Sequence, residues 1–114
     1  MQQNIFTFLI NTLCHYRVSN IKQFNLTDQN LLFEHAIIAT TQSSLQMRSI
    51  ARKISYLLKV DYQLDSKIQG YEKAEWILLA TSNIHLHLFL LDLRYKYALD
   101  ELWSQKEQSI NDIY

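Results

Sequence analysis

The spacing of hydrophobic residues changes along the chain, and each change predicts a new element. Over residues 4–16 the apolar side chains recur near helical spacing, which predicts an amphipathic helix. Residues 20–26 alternate weakly and indicate an edge strand, whereas residues 33–41 are rich in β-branched residues and predict a stronger strand. The chain is therefore expected to begin with one helix and two strands.

A second helix is predicted directly after these strands. Ser43, with Gln46 three residues later, forms a capping box in which the serine hydroxyl accepts a hydrogen bond from an unpaired backbone N–H. The helical period then continues along one side, through Met47, Ile50, Ala51, Ile54, Leu57 and Leu58. The opposite side carries Arg48, Arg52 and Lys59, a basic stripe that is either a solvated helix face or a contact for nucleic acid.

The next part of the chain is predicted to be three strands. Residues 66–70 indicate a short strand, and residues 75–81 and 84–90 a hairpin whose loop is Ser82-Asn83. A two-residue loop fixes which residues pair across the hairpin. The predicted pairs are Thr81 with Ile84, Ala80 with His85, Leu79 with Leu86, Leu78 with His87, Ile77 with Leu88, and Trp76 with Phe89.

This register gives the hairpin two faces of different chemistry. One face is wholly aliphatic and is expected to be core: Ile77, Leu79, Ile84, Leu86 and Leu88. The other is aromatic and half-polar: Trp76, Leu78, Ala80, His85, His87 and Phe89. That second composition is typical of a patch that binds a partner.

His85 and His87 lie on the second face, about 7 Å apart, and three interpretations of them stay open. They are structural or solvent-edge residues, interface residues, or the first ligands of a metal. Zinc would need a third ligand, and no carboxylate or cysteine lies at a spacing that points to one. The interface is the best functional interpretation, and we expect neither a metal nor a cofactor.

The chain is predicted to close with a helix over residues 91–102, with Asp92 near its start and Trp103 just past its end. Residues 104–114 are polar and are expected to form a C-terminal tail. Residues 1–103 then make up one domain, and a chain of this length can bury roughly two-thirds of its unfolded surface.

Composition excludes two kinds of nucleotide-binding site. The chain has one glycine, Gly70, and no proline, whereas a P-loop or a Gly-x-Gly-x-x-Gly turn needs several glycines to bring backbone amides against phosphate. Nor does the sequence contain Asp-x-Asp or Asp-x-Glu, the paired carboxylates that hold two metal ions in nucleotidyl transfer. We therefore do not expect an enzyme.

Charge is balanced over the whole chain but not over its halves. Residues 1–57 hold five basic and two acidic residues, and residues 58–114 hold six and nine, so a partner could meet one basic and one acidic region. The single cysteine, Cys14, is expected to be a buried or half-buried thiol. Without a disulfide, a signal sequence or an apolar run of about 18 residues, the sequence favours the cytosol and no membrane.

Residues 33–103 resemble the ribosomal silencing factor family (RsfS, also called Iojap), most strongly at IQGYEKAEWILLATSNIHLHLFLLDLRYKYALDELW (68–103). The residues at matching positions are Gly70, Glu75, Trp76, His87, Phe89, Arg94, Tyr97, Leu99, Leu102 and Trp103. Upstream, IIATTQSS (37–44) is similar to the family's Thr-Gly-Thr-Ser-Ser segment and keeps Thr40, Ser43 and Ser44. The chain departs from the family pattern at Thr41, Leu45, Gln46, Lys67, Gln69, Ser82 and Asn83.

The resemblance implies a binding protein without catalytic residues. Its members are α/β (α+β) single domains similar in fold to nucleotidyltransferases, with a mixed sheet of roughly five strands and flanking helices in the order αββαβββα. They bind ribosomal protein L-fourteen on the large ribosomal subunit and sterically block joining of the small subunit, which represses translation when nutrients are scarce. The partner-binding residues implied here are Trp76, His87, Phe89, Arg94, Tyr97, Leu99 and Trp103.

Two further expectations accompany this one. The protein is expected to be a cytoplasmic monomer or weak homodimer. The alternative function is a large-subunit assembly factor that contacts ribosomal RNA through Arg48, Arg52 and Lys59; such a phosphate-driven complex would weaken steeply with salt. Core packing also remains an alternative role for Trp76 and Trp103.

Overall fold

The structure is a computed structural model that describes residues 2–29, 31 and 33–108. Its first part comprises helix α1 (Gln2–His15), strands β1 (Ser19–Asn25) and β2 (His35–Thr41), and helix α2 (Ser44–Tyr62). Strands β3 (Lys67–Gln69), β4 (Trp76–Thr81) and β5 (Ile84–Leu90) follow. The described chain closes with the short helices α3 (Arg94–Tyr97) and α4 (Leu99–Leu102) and the two-residue strand β6 (Glu107–Gln108).

The strands form one mixed sheet in the order β3-β4-β5-β2-β1-β6. The central pair β2–β5 is parallel, and the other neighbouring strands are antiparallel. Five strands of three residues or more, with flanking helices, confirm the predicted α+β class and the order of elements up to β5. A parallel pair needs a long crossover, which the chain supplies through α2 and the β3–β4 strands.

The hairpin register is confirmed at all six predicted pairs, from Trp76 with Phe89 to Thr81 with Ile84. At the loop, Ser82 takes the left-handed conformation (φ 51°), and the Asn83 carbonyl accepts the backbone N–H groups of Glu34 and His35. The predicted core face is also confirmed. Its residues are fully buried: Ile77, Leu79, Ile84, Leu86 and Leu88.

Helices α1 and α2 cover that aliphatic face of the sheet. The predicted cap of α2 is confirmed, because the Ser43 side chain accepts the N–H of Gln46, and the Gln46 side chain accepts the N–H of Gln42. The apolar side of α2 is buried against the sheet through Met47, Ile50, Ala51, Ile54 and Leu58. The first core of the molecule therefore lies between the helices and one side of the sheet.

The single helix predicted over residues 91–102 is wrong, because the chain breaks at Ala98. Ala98 has φ 53°, in the left-handed region, and ends α3 by donating its N–H to the Arg94 carbonyl. Trp103 does follow the end of α4, as predicted. The Arg94 side chain makes contacts on both sides of the break, with Thr40 in β2 and with Asp100 in α4.

Two other expectations are corrected at the N-terminal half. Strand β1 is not a plain edge strand, because β6 pairs with its residues Gln23 and Phe24. The β6 strand lies within the predicted polar tail, of which residues 109–114 fall outside the described residues. Cys14 is exposed, although Ile10, one helical turn before it in α1, is fully buried.

Candidate protein-binding surface

The second side of the sheet is covered by α3, α4 and Trp103, which we call the cover segment (residues 94–103). Under it lies a separate buried cluster made of Phe24, Leu26, Ala36, Ile38 and Phe89. Leu99 and Trp103 pack against this cluster from the cover segment, and Trp76 packs against it from β4. The aromatic face predicted from the hairpin is therefore partly closed by the chain itself.

Trp76 is the centre of the aromatic contacts on this side. Its ring centroid lies 4.6 Å from that of Tyr97 and 4.9 Å from that of Phe89. Its Nε1–H donates to Nδ1 of His87 at 3.0 Å. One half-buried indole thus connects strand β4, strand β5 and the cover segment.

His87 is buried and neutral. Its pKa is lowered from the ordinary value of 6.5 to about 4. Burial is the main cause of this shift, and the nearby His85 is the second cause. Because Nδ1 accepts from Trp76, the neutral ring carries its proton on Nε2. His87 is therefore a fixed acceptor within the surface, and its ring centroid lies 6.0 Å from that of Trp103.

His85 has a different environment from His87. Its ring stacks on Phe33 with a centroid distance of 3.8 Å, and partial burial lowers its pKa. Within the described ranges, no three His, Cys, Asp or Glu side chains come together as a metal site would require. Aromatic packing is the contact that the structure gives to both histidines.

Arg94 is buried, with only 2% of its surface exposed. Its guanidinium makes a two-pronged ion pair with Asp100, at 3.1 Å and 2.8 Å. It also donates to the Thr40 hydroxyl at 2.9 Å and to the Asn20 carbonyl. Burial raises the pKa of Asp100, but the hydrogen bonds and charge of Arg94 and the charge of Lys22 outweigh it and lower the pKa overall.

The residues predicted to bind a partner fall into two groups by exposure. Phe89, His87 and Arg94 are buried against the chain's own residues. Tyr97 is 38% exposed, and the half-buried members are Trp76, Leu99 and Trp103. In this structure, the second group alone presents side chains that a partner can reach.

Three exposed apolar residues extend this accessible group. Leu91 is 56% exposed, Tyr95 81% and Leu102 72%. None of the three was among the residues predicted to bind a partner. Tyr95 lies in α3 and Leu102 in α4, and Leu91 lies between β5 and α3.

The predicted basic stripe on α2 is partly engaged within the chain. Arg48 donates to the backbone carbonyls of Tyr71 and Glu72, and Lys59 forms an ion pair with Asp65 at 2.9 Å. Arg52 is exposed and lies near the Tyr71 ring. All three cations thus lie on α2, but Arg48 and Lys59 already contact residues that lie before and after β3.

This chain is similar in sequence to a family of known proteins. The family model described as "Ribosomal silencing factor during starvation" matches residues 3–113. Ribosomal silencing factor RsfS of Zymomonas mobilis is 31% identical over 84 residues, which cover 74% of this chain and 63% of that protein, slightly less than two thirds of its length. RsfS of Chromobacterium violaceum is 25% identical over 107 residues, 94% of this chain and 88% of that protein.

Among the described residues, no helix is long and apolar enough to cross a membrane.

Two solved structures share the fold of this chain. A crystal structure of a Chromobacterium violaceum protein matches with a TM-score of 0.83 at 26% identity, covering 94% of this chain and 89% of that one. A Bacillus halodurans structure, at 21% identity and a TM-score of 0.80, covers 95% and 99% and supports the fold alone. The family match spans nearly the whole sequence. The chain belongs to the ribosomal silencing factor family.

Proposed function

We propose that this chain represses translation by binding ribosomal protein L-fourteen on the large ribosomal subunit and blocking the small subunit from joining. It would act in the cytoplasm when nutrients are scarce. The observation that carries the proposal is the half-exposed aromatic group of Trp76, Tyr97 and Trp103 in a member of this family. Aromatic side chains bury much area and lose little rotamer entropy, so they serve well as anchors.

The accessible anchors are supported from below by the buried members of the predicted site. Phe89 lies under both Trp76 and Tyr97, with centroid distances of 4.9 Å and 5.7 Å. His87 holds the indole of Trp76 through the Nε1–Nδ1 hydrogen bond. In this proposal the buried residues shape the surface, while the exposed apolar residues around Tyr95 enlarge the area that a protein partner can cover.

The departures from the family pattern leave the anchor residues themselves unchanged, although Gln69 lies close to one of them, because it pairs with Leu78, two residues from Trp76. Their locations are the β3 strand (Lys67, Gln69), the β4–β5 turn (Ser82, Asn83) and the junction of β2 with α2 (Thr41, Leu45, Gln46). At the junction of β2 with α2, Gln46 has a structural role, because it takes part in the α2 cap. Because Trp76, Tyr97 and Trp103 all match the family pattern, retention of the aromatic surface is supported.

The proposal is tested by binding to purified large subunits and by a subunit-joining assay on sucrose gradients. We expect the wild type to sediment with large subunits and to reduce joining. Trp76→Ala should weaken binding by about thirtyfold, because loss of an aromatic anchor at an interface costs about 2 kcal/mol. Tyr56→Ala is the matched control: Tyr56 is an exposed aromatic on α2, which covers the opposite side of the sheet.

Three results would contradict the proposal. If wild-type protein binds no large subunits, the partner is wrong. Binding without any effect on joining would remove the silencing step. If affinity instead falls steeply with salt and Arg52→Ala weakens it more than Trp76→Ala does, the complex is driven by phosphate contacts, as the RNA-binding alternative requires.

A further inference from the structure

Arg94 matches the family pattern among the predicted binding residues, yet its side chain is buried. The guanidinium reaches three separate elements: the Asn20 carbonyl in β1, the Thr40 hydroxyl in β2 and the Asp100 carboxylate in α4. A planar guanidinium can serve such a set of acceptors at once, because its donors point outward in a fixed plane. Arg94 is therefore placed to tie the cover segment to the sheet.

The cover segment needs such a tie. Helices α3 and α4 have four residues each, far fewer than an isolated helix requires in water. Ala98, between them, adopts a conformation that side chains disfavour (φ 53°). The Arg94–Asp100 pair spans this break, since Arg94 is the first residue of α3 and Asp100 lies in α4.

The same segment carries two of the exposed or half-buried aromatic anchors. Tyr97 ends α3 and lies against Trp76. Trp103 follows α4, with its ring centroid 5.8 Å from that of Phe24 in β1. Movement of the segment would separate both side chains from the sheet residues beside them.

We infer that Arg94 is a positioning residue: it holds Tyr97 beside Trp76, and Trp103 beside Phe24 and His87, in the geometry that binds the partner, and it does not contact the partner itself. The binding half of this inference rests on the proposed function. The Lys22 ammonium adds a second positive charge beside Asp100. Its Nζ lies 3.9 Å from the Asp100 carboxylate and 3.6 Å from that of Glu107. The surface is thus pre-organised by an ion pair between the buried Arg94 and the half-buried Asp100, which lowers the ordering cost of binding.

The test combines hydrogen exchange of the free protein with affinity for large subunits. The variants are Arg94→Ala, Arg94→Lys and Asp100→Asn, and Asp65→Asn is the control because it breaks an exposed ion pair with Lys59 beside β3. We expect faster exchange at residues 94–103 in the first three variants, with β5 still protected. Their affinity should fall by about tenfold to a hundredfold, since two anchors lose their fixed positions. Asp65→Asn should change neither readout.

The double variant Arg94→Ala/Asp100→Asn should be no weaker than Arg94→Ala, because both changes remove the same pair. If Arg94→Ala also exposes β5, so that the fold is lost, the milder Arg94→Lys and Asp100→Asn decide the question. Lower affinity with unchanged exchange at residues 94–103 would show direct contact with the partner and overturn the inference. Faster exchange with unchanged affinity would also overturn it.

The two halves of the experiment separate this inference from the proposed function. If the wild type fails to bind large subunits, the proposed function fails and takes the binding half of the inference with it. Hydrogen exchange requires no ribosome. Unchanged exchange at residues 94–103 in the Arg94 variants would then refute the positioning role as well.

Discussion

The two sides of the sheet are closed by different means. On one side, α1 and α2, of 14 and 19 residues, bury a largely aliphatic face. On the other, two helices of four residues cover aromatic residues and depend on the pair of the buried Arg94 with the half-buried Asp100. The first side removes a large apolar area from water, whereas the second holds aromatic rings at the surface in a defined arrangement.

The difference indicates how stability and binding are divided in this domain. Long amphipathic helices over aliphatic strands supply most of the free energy of folding. Regions with few buried apolar contacts open at lower free energy and commonly contain the binding residues. Changes on the helix side should therefore mainly affect stability. Changes on the cover side should mainly affect binding or the way in which stability depends on pH.

The largest expected effect is on the helix side. Leu86→Ala removes a fully buried side chain from the centre of β5, and we expect it to lower the free energy of unfolding by about 4 kcal/mol through lost burial and a residual cavity. Chemical denaturation measures this loss. Affinity of the folded fraction for large subunits should stay at the wild-type value.

A weaker affinity of folded Leu86→Ala would contradict the division between the two sides. Leu102→Ala is a useful comparison, because the same side chain is removed from a 72% exposed position on the cover side. Its unfolding free energy should change far less than that of Leu86→Ala. Equal losses would show that the cover side is as important for stability as the helix side.

A second effect concerns pH on the cover side. The pKa of His87 is lowered to about 4, mainly by burial, from 6.5, so well above pH 6.5 the residue is neutral in both the folded and the unfolded chain and contributes no pH dependence. As pH falls from 6.5 to 4, the unfolded chain takes up a proton and the folded chain does not. Unfolding is then favoured by up to about 3 kcal/mol, with the full loss reached below pH 4.

This loss can be separated from that of other titrating groups by comparing wild type with His87→Gln, which cannot titrate in this range. Denaturation curves measured from pH 7 to pH 4 give the unfolding free energy of each protein. The wild type should lose more stability than the variant. Parallel curves would mean that His87 takes up its proton equally in the folded and unfolded states.

The smallest effect tests the break in the cover segment. Ala98→Gly places glycine at a left-handed position (φ 53°), which removes strain but adds entropy to the unfolded chain. We expect a net gain of about 0.5 kcal/mol in unfolding free energy. Thermal melting measures the gain, and a loss of stability would show that the Ala98 side chain makes contacts worth more than the strain.

The sequence predicted the helix side well, because its signals are local and regular. The alternation over residues 75–81 and 84–90, joined by a two-residue loop, determined the register of every pair in the hairpin. Ser43 and Gln46 located the start of α2. The period of α1 did not indicate that Cys14 is exposed, because Phe6 and Ile10, two turns and one turn before it, are both buried.

The cover side was predicted less completely, because its structure depends on contacts between distant residues. Nothing in the local pattern of residues 91–102 marks Ala98 as a break, and the residues that Arg94 reaches lie in β1, β2 and α4. The same distance explains why Phe89 was predicted to be an accessible anchor. Its burial depends on packing with Phe24, Ala36 and Ile38 from other strands.

The parallel pairing of β2 with β5 has a consequence for how the chain folds as it is synthesised. His35 pairs with Ile84, so β2 emerges about fifty residues before its neighbour. Until then, only β1 can pair with it, and one edge of an apolar strand stays open. Contacts so distant in sequence form slowly and expose the nascent chain to aggregation. The strand at the centre of the finished sheet thus keeps one edge unpaired until β5 has been synthesised.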